Sequence, residues 1–204
     1  MTMKYIYLTT LFLLFASFGY SQSSKTKQQL ADIEGLYEVD NTGNVSYVSV
    51  FDNIDLTEKE IYDRALSYFI HTYNDANSVI QEKDEESGRI IGKGIFPNVH
   101  IGTGLVTRKY SIVHILRIDI KENRARAIIT LTNYDVKSYD LDGNMYPSSY
   151  PISASYPFNP KGGEKNFHGQ AFVQAHLKAD ETFLELENVI RNGAVSSDLS
   201  KDDW

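Results

Sequence analysis

The chain has 204 residues, with 27 aspartates and glutamates against 20 lysines and arginines, a net charge of −7, and no cysteine. The acidic balance disfavours nucleic acid and anionic membrane surfaces as partners. The absence of cysteine excludes disulfides, thiolate metal sites, a thiol nucleophile and a lipid-modified amino-terminal cysteine, so an apolar core alone must hold the fold.

Lys4 is the only charge before an uncharged apolar run, Ile6–Phe18, and Gly19-Tyr20-Ser21 sets small residues three and one positions before Gln22. That is the anatomy of a cleaved secretory signal over residues 1–21. The run falls short of the roughly 20 apolar residues that a spanning helix needs, and no later stretch approaches that length. The expectation is an exported protein, periplasmic or at the cell surface and outside, with no membrane span in the mature chain. Its charge would be −8, with 19 basic residues left against 27 acidic ones once Lys4 is removed. Residues 22–35 are polar and read as a tether.

A single α+β domain is expected over 36–192. Asn41-Thr42-Gly43-Asn44 supplies turn chemistry between a short strand and the β-rich run Val45–Phe51. A helix follows: Thr57 and Glu60 have capping-box spacing, and Ile61, Tyr62, Ala65, Leu66, Phe69 and Tyr73 share one arc. His71 falls on the wet side.

The stretch NDANSVIQEKDEESGRIIGKGIF (74–96) holds an acidic run and a Gly-Lys-Gly. A phosphate loop needs Gly-Lys-Ser/Thr entering a helix, and here Lys93 is followed by Gly94 and Ile95 in a β context. Asp84, Glu85 and Glu86 are adjacent, unlike the alternating ligands of a calcium loop. The stretch reads as a hairpin between Ser78–Glu82 and Arg89–Phe96.

After a loop at 97–107, KYSIVHILRIDI alternates. Tyr110, Ile112, His114, Leu116, Ile118 and Ile120 share one face, and Ser111, Val113, Ile115, Arg117 and Asp119 share the other. RARAIITLTNY returns with Ala125, Ala127, Ile129 and Leu131 inward and Arg124, Arg126, Thr130 and Thr132 outward. Residues 134–165 change texture, with Tyr-Pro three times, at Tyr146, Tyr150 and Tyr156, and read as a long ordered loop lying on the domain. Asp140-Leu-Asp-Gly-Asn144 within it resembles the start of a calcium loop but lacks the distant glutamate, and reads as a turn.

A last helix spans about Asn166 to Arg191. Phe172, Ala175, Ala179, Phe183, Leu186 and Ile190 form one apolar stripe, and Val173, Leu177 and Leu184 a second beside it. So broad an apolar arc needs cover on two sides: the sheet, and either the Tyr-Pro loop or a partner. Residues 193–204 form a polar acidic tail ending in Trp204.

The order β-α-β-β-β-β-α, with the strings NDANSVIQEKDEESGRIIGKG and DIKENRARAIITLTNY, resembles a bacterial family catalogued as domain of unknown function 4468 over about Leu36 to Tyr134. The resemblance implies an exported protein with a fold similar to the TATA-box-binding protein: a curved antiparallel sheet with two helices on one face. It implies no activity, and a fold does not carry DNA binding with it.

No Gly-x-Ser-x-Gly elbow or His-Glu-x-x-His helix occurs, so no catalytic residue, metal ligand or cofactor is assigned. His114 faces the helices, and His176 lies in the apolar arc of the last helix with Asp180 one turn on. The two are either ordinary core-edge histidines or, if brought together, a metal or proton-transfer pair. Gly92 and Gly94 remove two side chains in a row from one strand face, for close helix packing or for the floor of an apolar pocket. Three readings result. The first is a non-enzymatic binding or scaffolding module of the cell envelope, meeting a partner protein or itself through Tyr146, Tyr150, Tyr156, Val173, Leu177 and Leu184. The second is a small apolar-ligand carrier using Gly92, Gly94, His114, His176 and Asp180. The third is a hydrolase or metal enzyme built on the two histidines and Asp180.

Overall fold

Residues 23–73 and 79–193 are described by a computed structural model whose spine is a seven-stranded antiparallel sheet. The expected signal segment 1–21 and the tail from residue 194, Trp204 included, lie outside the described residues. In chain order the elements are α1 (Ser24–Asp32), β1 (Glu38–Val39), β2 (Val45–Phe51), α2 (Glu58–Thr72), β3 (Ile80–Asp84), β4 (Arg89–Gly102), β5 (Thr107–Lys121), β6 (Arg124–Tyr139), β7 (Met145–Pro151), a 3-10 turn (Ile152–Ala154) and α3 (Lys165–Asn192).

The strands run β1-β2-β6-β5-β4-β3 across the sheet. β6 pairs with β5 along its whole length, so its other edge is shared. β2 takes Ala125–Leu131, and β7 takes Asn133–Tyr139. The two-residue alternation read from β5 and β6 is the burial pattern: Tyr110, Ile112, His114, Leu116, Ile118 and Ile120 are all buried, as are Ala125, Ala127, Ile129 and Leu131. A bulge between Val113 and His114 shifts the register within this pair.

α2 begins at the capping box. Glu60 N–H donates to Thr57 Oγ1 at 3.3 Å, and Thr57 N–H donates to Glu60 Oε2 at 2.9 Å. Its buried residues are Ile61, Tyr62, Ala65, Tyr68 and Phe69. α3 starts one residue before the expected boundary and ends at Gly193, whose φ of 83° closes the helix with its N–H on the Val189 carbonyl. Arg64 of α2 donates to the Ile190 and Arg191 carbonyls at 2.9 and 2.7 Å, satisfying acceptors that a helix end leaves open.

Two expectations need correcting. The tether over 22–35 contains a helix. α1 has Ser23 as its N-cap, and it docks by hydrogen bonds rather than by an apolar stripe. Buried Thr26 donates through Oγ1 to Asn166 Oδ1 at 2.7 Å and accepts from Gln170 Nε2 at 2.6 Å. The 134–165 loop is the second correction. β6 continues to Tyr139, and a turn leads into β7, which runs at the edge of the sheet, where proline is tolerated. The fold is therefore α+β as expected, with three helices among the described residues in place of two.

The turn before β7 repeats the turn before β2. Asp140 accepts from the Asp142 and Asn144 N–H groups, and Asp40 accepts from those of Thr42 and Asn44. Gly143 and Gly43 stand at φ of 85° and 83°.

Candidate functional site

The residues singled out in the sequence scatter. At Gly92 the missing side chain is replaced by a ring. Phe69 Cε1 lies 2.3 Å from the position a Cβ would take. At Gly94 the same space is taken by His114 Nε2 at 2.7 Å and a Tyr73 ring carbon at 2.8 Å. The glycines thus serve close packing and are not the floor of an empty apolar pocket.

His114 is fully buried and stacks on Phe96 with 3.9 Å between ring centres. Its Nε2 meets the Tyr73 hydroxyl at 3.2 Å. Nδ1 makes no hydrogen bond of good geometry, although the Ile112 backbone lies near enough to favour the charged ring slightly. Burial outweighs that and pushes the His114 pKa down to about 4. His176 packs elsewhere. Its ring is 5.4 Å from that of Tyr47 on β2, and Asp180 Oδ2 lies 3.6 Å from its Nε2, beyond hydrogen-bond length. β2 and β5 are separated by β6, so the two histidines have different neighbours and form no pair. Among the described residues no group of three histidine or carboxylate side chains is placed to share a metal ion.

The over-apolar α3 is covered from inside the chain. Val173 is buried, contrary to its assignment to a partner surface. α1 packs along this half of α3, and Phe158 of the Tyr-Pro segment closes edge-on over Phe172 together with Tyr37. Leu177 and Leu184 do stand exposed. Of the three tyrosines, Tyr150 leans on His168 with 6.0 Å between ring centres, and Tyr146 donates to Asp140 at 3.2 Å. The Tyr156 carbonyl accepts from the Tyr134 hydroxyl at 3.3 Å. His168, which the sequence left unremarked, sits inside a ring of Tyr110, Tyr134 and Tyr150; burial lowers its pKa against weaker opposing pulls from the Gly163 carbonyl and Glu164.

Two surfaces remain. The first is a groove of about 350 Å3 between the end of α2, β4 and β5, and α3, with Tyr68, Tyr73, Phe96, His114 and Glu185 among its lining. The second is the sheet face that carries no helix. Across it Val48, Val50 and Ile95 are 49%, 44% and 50% exposed, far above the near-zero values of Val45, Ile90, Leu116 and Ile129 on the opposite face of the same sheet. Ile91, Ile115 and Ile128 are half-buried among them.

Register brings Arg89, Asp119 and Arg126 into one row of that face, with Arg117 beside them. Asp119 Oδ1 accepts from Arg89 Nε at 3.0 Å and from Arg117 Nε at 2.9 Å, while Oδ2 accepts from Arg126 Nη2 at 2.7 Å. Partial burial alone would raise the aspartate's pKa. The hydrogen bonds from Arg126, Arg117 and Arg89 outweigh it and hold the carboxyl at about 2. Three guanidinium groups meet on one carboxylate, an excess of two positive charges that Asp84, opposite Arg89, offsets in part. Lys93 adds another positive charge on the same face. Glu82 and Asp84 stand at its β3 margin, where Asp84 accepts from Ser87 and Glu86 of the turn and also feels the charge of Arg89 across the strand pair. An acidic chain therefore presents a locally basic, partly aliphatic sheet face. The sequence held the signal: the turn joining β5 to β6 fixes which residues lie opposite one another, and so places Asp119 across from Arg126.

Residues 47–135 match the model of a family described as a domain of unknown function, DUF4468, with a TBP-like fold. Over that span the chain resembles the DUF4468 family. The DUF4468 match runs from β2 through α2 to β6, so it contains the Asp119 cluster and most of the bare face. It leaves out α1, β7 and α3. Two solved structures are similar. One is a TBP-like protein from Parabacteroides distasonis, 14% identical, with a TM-score of 0.57 over 77% of this chain and 98% of that one. The other is a DUF4468 family protein from Bacteroides ovatus, 13% identical, with a TM-score of 0.49 over 80% and 94%. At such identity the first likeness is one of fold. No curated protein matches the chain. No described helix is long and apolar enough to cross a membrane.

Proposed function

We propose that this protein is a non-catalytic binding module of the bacterial cell envelope, receiving an acidic polypeptide segment on the helix-free face of its sheet. One observation carries the reading: three arginines converge on Asp119 amid exposed Val48, Val50 and Ile95, on a sheet whose helices pack against the other face. Antiparallel sheets often leave one face to water, but that face is then mainly polar. Here aliphatic side chains alternate with unbalanced guanidinium groups, which suits a segment carrying carboxylates between apolar residues. A second copy docked face to face would set like charge near like charge, which favours a different chain as occupant. The envelope address rests on the segment Met1–Ser21.

The test uses the mature chain and three probes: an alternating Glu-Leu peptide, its Lys-Leu counterpart and a single-stranded oligonucleotide, followed by fluorescence anisotropy. The acidic peptide should bind, and the double variant Arg117→Gln/Arg126→Gln should weaken it about tenfold or more. Asp119→Asn should tighten it by removing the competing carboxylate, a gain that a purely structural ion cluster would not give. Preference for the oligonucleotide, or indifference to all three substitutions, would overturn the reading. Intact Met1 on protein recovered from cells would remove the envelope assignment.

A further inference from the structure

We infer that the groove between α2, β4 and α3 is a second binding site, for a small organic cation with an apolar body. At about 350 Å3 it is of the size that encloses small ligands. Its floor is built of rings: Tyr68, Tyr73 and Phe96, with His114 stacked on Phe96. That floor carries no charge of its own, because His114 is fully buried and engaged by the Tyr73 hydroxyl at 3.2 Å.

The rim is acidic. Lys178 is ion-paired with Glu181, which leaves Glu185 as the lining carboxylate without an ion pair among the described residues. Glu185 is near enough to add to the effect of burial in raising the pKa of Tyr68, to about 12, and that of Tyr73. A free carboxylate in an aromatic-lined groove repels anions. It offers an ammonium group an opposite charge at the rim, while the apolar body of the ligand sits against the aromatic lining. The site shares only Ile95 with the bare sheet face, so it stands or falls independently of the docking surface.

The probes are 2-phenylethylammonium, the neutral 2-phenylethanol and the anionic 3-phenylpropionate, each titrated into the mature chain by calorimetry. The cation should bind most tightly and the anion least. Glu185→Gln should weaken the cation about threefold to tenfold and bring it level with the alcohol. Because Glu185 is exposed on α3, the melting temperature should not move. Leu184→Gln, on the same helix outside the groove lining, should leave all three affinities unchanged. Equal affinity for the three probes, no binding of the cation, or a cation affinity that ignores Glu185→Gln would overturn the inference.

Discussion

The Phe69 ring occupies the place where a side chain at residue 92 would begin, with Cε1 2.3 Å from the absent Cβ of Gly92. Phe69 is fully buried on the inner face of α2, so the contact sets how closely that helix approaches β4. Gly92→Ala should cost ~1–3 kcal/mol in urea unfolding, since neither ring nor strand can retreat without opening the core. Gly104→Ala, whose added carbon meets nothing closer than 4.0 Å, should be nearly neutral. Adding Phe69→Leu to Gly92→Ala should recover part of the loss, the signature of two residues competing for one volume.

Thr26 ties α1 to α3, and the tie is polar. Replacing it with alanine removes one hydrogen bond each from Asn166 and Gln170, which keep only the longer ones to Ser23 and Gln29, and should destabilise the protein by about 2 kcal/mol. The loosened α1 should also uncover Val173, so binding of a hydrophobic dye should rise in the variant. A dye signal equal to that of the parent would mean that α1 is not what shields α3.

Where the sequence was legible and where it was not follows from this polar tie. α2, β5 and β6 show in the sequence because each buries one face against water, and burial writes a period of 3.6 or 2 into the residues. α1 has only Leu30 and Ala31 within its span, followed by Ile33, and is held by side-chain hydrogen bonds, which leave no period. β7 is hidden by Pro147 and Pro151, which deny a central strand but suit an edge. The Gly92–Gly94 pair was legible as a packing or cavity feature; only coordinates could show that Phe69, His114 and Tyr73 fill the space. The Asp119 cluster required three strands to be registered at once.

Asp119 should make the fold acid-sensitive. Its folded pKa, about 2, lies below the ordinary 3.8, so the folded state favours the ionised form. That contribution is complete above the ordinary value and is lost as pH falls through about 2. Because the arginines around it are a third to a half exposed, the stabilisation should be about 1 kcal/mol rather than the full shift. Urea midpoints measured in mild and in strong acid should converge in Asp119→Asn relative to the parent. An unchanged difference would mean that the three contacts contribute nothing to stability.

His114 should set a separate and milder pH limit. Its folded pKa of about 4 lies below the 6.5 of a free imidazole, so between these values the unfolded chain binds more protons. The His114 contribution is therefore greatest above pH 6.5, declines as pH drops towards 4, and levels off below that. His100 and His168, also lowered by burial, act in the same direction. Fully buried His114 can account for at most about 3 kcal/mol of the decline. His114→Leu should flatten the profile across this range, whereas Tyr73→Phe, which keeps the imidazole but removes its hydroxyl partner, should leave the slope in place. If His114→Leu retained the full slope, the decline would belong to His100 and His168, and the imidazole beneath the groove would already be solvated in the folded protein.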